Sequence, residues 1–323
     1  MNRMAIRSIH QIAIVGFGEV GGIFAEDLAS HSIKVSVFDI LFASPGHRKH
    51  MFAKAKRCGV TPAATLRDCL HHADLVISAV TASSAIAVAT EAGPMLSSGQ
   101  AFLDLNSVSP GTKCEVAARA GHSGAQFIEA AVMAAVSTPR LKVPMLLGGP
   151  HARELAASLQ SIGMNATALS DQIGVASAVK MCRSVIMKGL ESLAVECLFA
   201  ARRYGAEDAV LQSLAATYPS LGWTGQFPDY LISRVAQHGR RRAAEMREVA
   251  QALQAVGIEP TMALATAKRQ EDLVIQMEQK NLPFEEKNLS SWRLLAEAIG
   301  AGSDAVSRAN RGTNPAGRKP SSR

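Results

Sequence analysis

Apolar positions change their rhythm along the chain, and the changes divide it. Gln11–Val15 (QIAIV) is a short apolar run of the kind that forms a strand buried on both faces. Glu19–Ser30 then takes up helical spacing, with Val20, Ile23, Phe24, Ala25 and Leu28 able to share one face. Strand patterns return at Lys34–Asp39, Asp74–Val80, Ala101–Leu105 and Gln126–Val132, and Thr65–Ala73 reads as a helix. A later strand is expected at Val143–Leu147, where Pro144 places it at a sheet edge or at the start of the strand. Strands alternating with helices predict an α/β fold, a doubly wound Rossmann-type parallel sheet.

After Ser170 the strand signal stops. Residues 174–204 contain no proline and one internal glycine, Gly189. At 1.5 Å per residue such a helix spans on the order of 45 Å. It is apolar around much of its circumference, through Val175, Val179, Met181, Ile186, Leu190 and Leu198. A helix of that kind needs neighbours on most sides, and its outer apolar side predicts a homodimer or a higher homo-oligomer. Further helices are expected over about 207–216, 224–238, 240–256 and 261–279. The expected organisation is a dinucleotide-type domain over 1–172, an all-helical substrate and dimerisation domain over 173–300, and a disordered tail over 301–323.

Composition narrows the classes of function. The net charge of the 323-residue chain is +7. Residues 301–323 carry Arg308, Arg311, Arg318, Lys319 and Arg323 against Asp304, so +4 of it lies in the tail and +3 remains for the body. That distribution argues against a nucleic-acid partner and leaves room for a local basic pocket that takes a small anionic substrate. No apolar run is long enough for a signal peptide or a membrane helix, so a cytoplasmic protein without a membrane partner is expected. The five cysteines form no CxxC pair, and neither disulfides nor a metal site is expected.

The first strand runs into Gly16-Phe17-Gly18-Glu19-Val20-Gly21, a GxGxxG between strand and helix. Gly16 allows the tight turn, Gly18 lets backbone approach a pyrophosphate, and Gly21 lets helix and strand pack closely. Phe17, Glu19 and Val20 complete the loop, and the helix N-terminus offers N–H groups to phosphate. Asp39 follows Gly21 by 18 residues and ends the next strand, where a carboxylate accepts from ribose hydroxyls and repels a 2′-phosphate. NAD is therefore favoured over NADP, although Arg48 and Lys49 keep NADP open. Two further strand ends, Val80-Thr81 and Asn106-Ser107, should line the same crevice.

These residues resemble the β-hydroxyacid dehydrogenase family, which includes 3-hydroxyisobutyrate, tartronate semialdehyde and 6-phosphogluconate dehydrogenases. The resemblance covers roughly residues 10–280. It rests on the glycine loop, on Asp104, Ser107 and Pro110 in an Asp-x-x-Ser-x-x-Pro pattern, and on a long helix bearing Lys180. It implies that Lys180 is the general acid/base of a hydride transfer between the nicotinamide and a small 3-hydroxy acid or sugar acid. The chain departs from the family pattern at three places. The substrate loop's Ser-Gly-Gly is Met133-Ala134-Ala135, the amide partner of the lysine is Ser184, and a Lys-Asp pair has become Ala244-Glu245. These mark a divergent branch.

An ordinary lysine is a poor base at neutral pH, and a neighbouring cation improves it. Arg183, one turn from Lys180, is expected to do this and to bind an anionic substrate group. Ser184 is expected to orient the lysine amine or hold the substrate hydroxyl. Arg240, Arg241 and Arg242 form a basic run near the expected helix start, and Arg241 stands where it can replace the family's lost lysine. Trp223 is expected in the core. Two other readings stay open: a non-catalytic dinucleotide-binding module, and an imine reductase-like enzyme, against which Lys180 argues.

Overall fold

The computed structural model describes residues 9–282 and 291–300. The sheet strands are β1 (Gln11–Val15), β2 (Lys34–Phe38), β3 (Thr61–Pro62), β4 (Leu75–Ser78), β5 (Ala101–Asp104), β6 (Gln126–Val132), β7 (Met145–Gly148) and β8 (Ala166–Ser170). Between them run α1 (Glu19–Ser30), α2 (Arg48–Arg57), α3 (Leu66–Leu70), α4 (Ala85–Ala92), α5 (Pro110–Ala120) and α6 (Ala152–Ser161). Then come α7 (Val175–Tyr204), α8 (Glu207–Thr217), α9 (Phe227–Gln254), α10 (Thr261–Gln279) and α11 (Trp292–Gly300). The chain divides into two compact units, Met1–Ser184 with Glu248–Pro260, and Val185–Arg247 with Thr261–Arg323.

In the first unit the strands lie in the order β3-β2-β1-β4-β5-β6-β7-β8. All neighbouring pairs are parallel except β6 with β7. Alternation along β1 shows why the sheet must be covered twice. Ile12 and Ile14 pack with Phe24 and Leu28 of α1 and Leu155 and Leu159 of α6, while Ala13 and Val15 face Leu66 and Leu70 of α3 and Ala89 of α4. Successive side chains point to opposite faces, so a strand apolar at every position needs helices on both sides. This is the doubly wound α/β architecture, followed among the described residues by helices.

In the second unit, Leu198 of α7, Leu231 and Val235 of α9, Leu273 of α10 and Trp292, Leu295 and Ile299 of α11 share one core. Trp223 is buried there, edge-on to Phe227 at 5.2 Å between ring centres.

Several elements differ from the sequence expectation. Two helices, 224–238 and 240–256, are one helix, α9. Gly239 does not break it, because its bare Cα lets α10 come close: a Cβ there would lie 2.5 Å from the Gln270 carbonyl oxygen. Leu231, Val235, Ala243 and Met246 keep one buried stripe through the glycine. Arg240–Arg242 consequently stand in mid-helix, and the argument from cations at a positive helix end does not apply to them. The helix expected over Thr65–Ala73 shortens to α3, with the Thr65 hydroxyl accepting from Asp68 N as its N-cap. β7 begins directly after Pro144 and is interior rather than an edge. β3, β8 and α11 were not anticipated. The basic tail lies outside the described residues. Among the described residues no helix is long and apolar enough to cross a membrane.

Candidate active site

The glycine loop connects β1 to α1 at the carboxyl ends of the parallel strands. Gly16 has φ +93°, and a Cβ on it would come 2.5 Å from the Ala79 carbonyl oxygen. A Cβ on Gly21 would run into the Gly16 carbonyl, so this glycine sets how closely α1 approaches the loop. Gly18 is different: nothing lies within 4 Å of where its Cβ would stand. It is the N-cap of α1 and supplies no side-chain cap. An open approach beside uncapped helical N–H groups suits an anionic phosphate, so the residues present fit a dinucleotide.

The loop is held from two sides. Asp39 accepts from Phe17 N at 2.7 Å through Oδ2 and from Leu41 N at 2.9 Å through Oδ1. Lys54, on α2, donates to the Phe17 and Gly18 carbonyls, each at 2.7 Å. Its ammonium also lies 4.4 Å from the centre of the Phe17 ring. Burial pushes the Lys54 pKa down, opposed by Cys58 and Asp39. Phe17 is itself buried and stacks on Phe42.

The next two strand ends are joined through Asn106. Its Oδ1 accepts from Val80 N at 2.8 Å, and its Nδ2 donates to Ser78 Oγ at 2.9 Å and to Asp104 Oδ1. The Asn106 amide is thus committed to the chain, and Val80 is positioned by it. Thr81 is exposed, with its hydroxyl 2.9 Å from that of Ser84. Beneath lies a fully buried ion pair, Lys113 Nζ to Asp104 Oδ2 at 2.8 Å, with the same ammonium donating to the Asp104 carbonyl. Ser107 follows, half-buried, and its hydroxyl accepts from Lys180 Nζ at 2.5 Å. Two residues 73 positions apart in sequence, one at a strand end and one on α7, are thereby brought together.

The start of α7 is fixed by Glu129, buried in the middle of β6. One of its oxygens accepts from Gly174 N at 2.7 Å and Ala176 N at 3.0 Å. Ser184 is buried one turn beyond Lys180. Arg183 is exposed and donates to the Met133 carbonyl at 3.1 Å, so two expected substrate residues meet. The methyl groups of Ala134 and Ala135 are exposed. Ser109, which caps α5, receives Glu248 Oε2 on its backbone N–H at 3.0 Å.

Arg241 belongs to the helical unit, where its guanidinium is paired with Glu245. Glu245 also accepts from the buried Lys188 at 2.6 Å. Arg242 pairs with the buried Glu191, and Arg240 with Glu278. Burial lowers the Lys188 pKa, with Glu245 opposing, and burial raises that of Glu191, with Arg242 opposing.

Sequence reasoning overlooked Lys54, Lys113, Glu129 and Glu248. Glu129 left a signal, a carboxylate inside an otherwise apolar strand; Lys54 left none, since it acts on a loop remote in sequence, and Lys113, nine residues after Asp104, sits in a helix where a lysine is ordinarily exposed. Among the described residues no cluster of His, Cys, Asp or Glu could hold a metal ion.

A glycine loop at the strand ends of a doubly wound sheet, backed by a lysine from the following long helix, defines a dinucleotide-binding oxidoreductase architecture. Comparison with known proteins agrees. Residues 11–169 match the NAD binding domain of 6-phosphogluconate dehydrogenase, and residues 201–273 match a domain of unknown function, DUF1932. A conserved hypothetical protein from Sinorhizobium meliloti 1021 is 33% identical, with 92% of this chain and 98% of that one covered and a TM-score of 0.72. A conserved protein of unknown function, MTH1747, described as structurally similar to 3-hydroxyacid dehydrogenases, is 29% identical over 81% of this chain and 97% of its own, with a TM-score of 0.64. The 3-hydroxyisobutyrate dehydrogenase of Mycobacterium tuberculosis shares the fold at 15% identity, over 90% and 98% of the two chains, with a TM-score of 0.67. The chain belongs to the 6-phosphogluconate dehydrogenase-like β-hydroxyacid dehydrogenase family. It is a nicotinamide-dinucleotide-binding, hydroxyacid dehydrogenase-like oxidoreductase.

Proposed function

We propose that the protein is an NAD-dependent dehydrogenase acting on a small 3-hydroxy acid or sugar acid, with Lys180 as general acid/base. The observation that carries this reading is the 2.5 Å hydrogen bond from Lys180 Nζ to Ser107 Oγ. It puts an amine at the carboxyl end of β5, on the rim where a parallel sheet binds its ligands. The nicotinamide supplies or accepts the hydride. Lys180 holds the proton at the substrate oxygen, taking it from a hydroxyl during oxidation and returning it to a carbonyl during reduction. Ser107 fixes the amine, and Ser184, one turn on, shares the task of orienting it or the substrate hydroxyl.

Cofactor choice follows from Asp39. Two of its lone-pair positions serve Phe17 and Leu41, and a carboxylate retains others for ribose hydroxyls. Its charge disfavours a 2′-phosphate, which selects NAD. Gly16 to Gly21, Val80, Thr81, Asn106 and Ser107 form the cofactor side, with Asn106 acting through Val80 and Ser78. Met133, Ala134, Ala135 and Arg183 form the substrate side, with Arg183 meeting a carboxylate or phosphate; Arg241 is the substrate-binding candidate of the helical unit. Residues 1–172 serve the dinucleotide, and residues 173–300 serve substrate binding and assembly. Ile186 and Leu193 stand 71% and 55% exposed on α7, which favours a homodimer; a monomeric mass by light scattering at micromolar concentration would refute that assembly.

The test is NAD⁺ reduction at pH 8–9 across 3-hydroxy acids and sugar acids, with wild type and Lys180→Ala side by side. Loss of an acid/base group should lower turnover by a factor of about 10² or more. No turnover in wild type, with NADH still bound, would favour the non-catalytic dinucleotide-binding reading.

A further inference from the structure

Lys54 is not part of the glycine motif, yet it reaches it from α2, 36 residues away from Gly18. We propose that Lys54 is a positioning residue for dinucleotide binding: by holding the Phe17 and Gly18 carbonyls it turns the N–H groups of Gly18 and Glu19 toward the pyrophosphate. The geometry follows from the peptide unit. A trans peptide is planar, with C=O and N–H pointing to opposite sides. Fixing the Phe17 carbonyl on the ammonium at 2.7 Å therefore directs Gly18 N–H away from it. Fixing the Gly18 carbonyl at the same distance does the same for Glu19 N–H. Those are the first N–H groups of an uncapped helix start, beside the open approach at Gly18.

Two other residues fit this assignment. Asp39 takes Phe17 N–H, so the peptide before the Phe17 carbonyl is fixed as well. Gly22, which the dinucleotide motif does not require, makes room for the ammonium: a Cβ there would meet Lys54 Nζ at 2.6 Å and Cε at 2.7 Å. The glycine loop thus has a built-in cationic brace on the side away from the ligand. Without it the Gly18 carbonyl would keep only the Gly22 N–H at 3.1 Å, and the Phe17 carbonyl, with the Gly18 N–H on the same peptide, would lose the ammonium that fixes it.

The inference rests on dinucleotide binding and not on the substrate or on Lys180. It is tested by fluorescence titration of NADH, with ADP-ribose as a competing ligand that has the pyrophosphate but no nicotinamide. Lys54→Met should raise both dissociation constants at least about tenfold, the loss expected for a charge-assisted hydrogen bond. Lys54→Arg, which keeps the charge and the donors, should recover most of that loss. Gly22→Ala tests the same brace without touching the lysine. Alanine is the better helix former, so the variant should melt no lower than wild type while its NADH affinity falls, because the new methyl pushes the ammonium aside. If Lys54→Met does not fold, Gly22→Ala carries the test alone. Unchanged NADH affinity in the variants that fold would overturn the proposal. So would a loss in Lys54→Met confined to NADH with ADP-ribose unaffected, or a wild type that binds neither ligand. Binding that behaves as expected without turnover on any hydroxy acid would leave this inference standing and count only against the proposed reaction.

Discussion

The two compact units handle charged side chains with different emphasis. In the sheet unit they bond largely to backbone: Asp39 to Phe17 N and Leu41 N, Lys54 to two carbonyls, Glu129 to Gly174 N and Ala176 N, and Lys113 to the Asp104 carbonyl as well as to the Asp104 carboxylate. In the helical unit they bond to each other: Lys188 to Glu245, Arg242 to Glu191, Arg241 to Glu245. The reason lies in the backbone. Strand ends and helix starts leave N–H and C=O groups unpaired, whereas helix interiors satisfy their own, and a charge buried there must find a counter-charge. Charges in the first unit shape loops, and loops bind ligands; charges in the second hold helices in register.

The sharpest way to break this contrast is Lys113→Met. It leaves the Asp104 carboxylate buried without its cation, which should cost about 3–5 kcal/mol in urea unfolding. NADH affinity should fall with it, because Asp104 and Asn106 set the strand ends. Lys188→Met should cost somewhat less, about 3 kcal/mol, since Glu245 keeps Arg241, and NADH affinity should stay at the wild-type value. Adding Glu245→Leu should return part of that stability, as replacing both partners of a buried pair often does. A drop in NADH affinity in Lys188→Met would erase the distinction between the units.

Gly239→Ala probes the helix contact and not a charge. Its methyl would meet the Gln270 carbonyl at 2.5 Å, and overpacking of this kind costs roughly 1–3 kcal/mol. The smallest effect concerns pH. Burial raises the Glu191 pKa above its ordinary value, so the folded state holds this proton more tightly than the unfolded chain. Its contribution is fully present below the unfolded pKa of about 4.5 and is lost as pH rises through the raised folded value. Glu191→Gln should remove that slope: the melting temperature of wild type, taken relative to the variant, should decline from pH 4 to pH 7.

The contrast also explains what the sequence made legible. Strands β1, β2, β4, β5 and β6 and helices α1, α7 and α10 follow from apolar period, since burial on both sheet faces writes continuous apolar runs; the strand order does not. The glycine loop and Asp39 were legible because a turn with positive φ and a strand-end carboxylate are local requirements. The meeting of Lys180 with Ser107 was not, because no local pattern encodes a contact across 73 residues. Gly239 was misread for the same reason: its cause is α10, whose sequence lies thirty residues further on. β8 was passed over because its outer residues, Thr167 and Leu169, alternate with buried Ala166 in too small a stretch to stand out.

The sheet order also bears on how the molecule is made. From β5 to β8 every strand pairs with the one synthesised just before it, so this side of the sheet widens one strand at a time as the chain leaves the ribosome. That unit is nevertheless discontinuous: Glu248, which caps Ser109 N–H, arrives 139 residues later. A polypeptide halted at Ser184 has every strand but lacks this last fastening. The nucleotide unit is therefore completed only when half of the second unit has already been translated, and the two must mature within the same stretch of time.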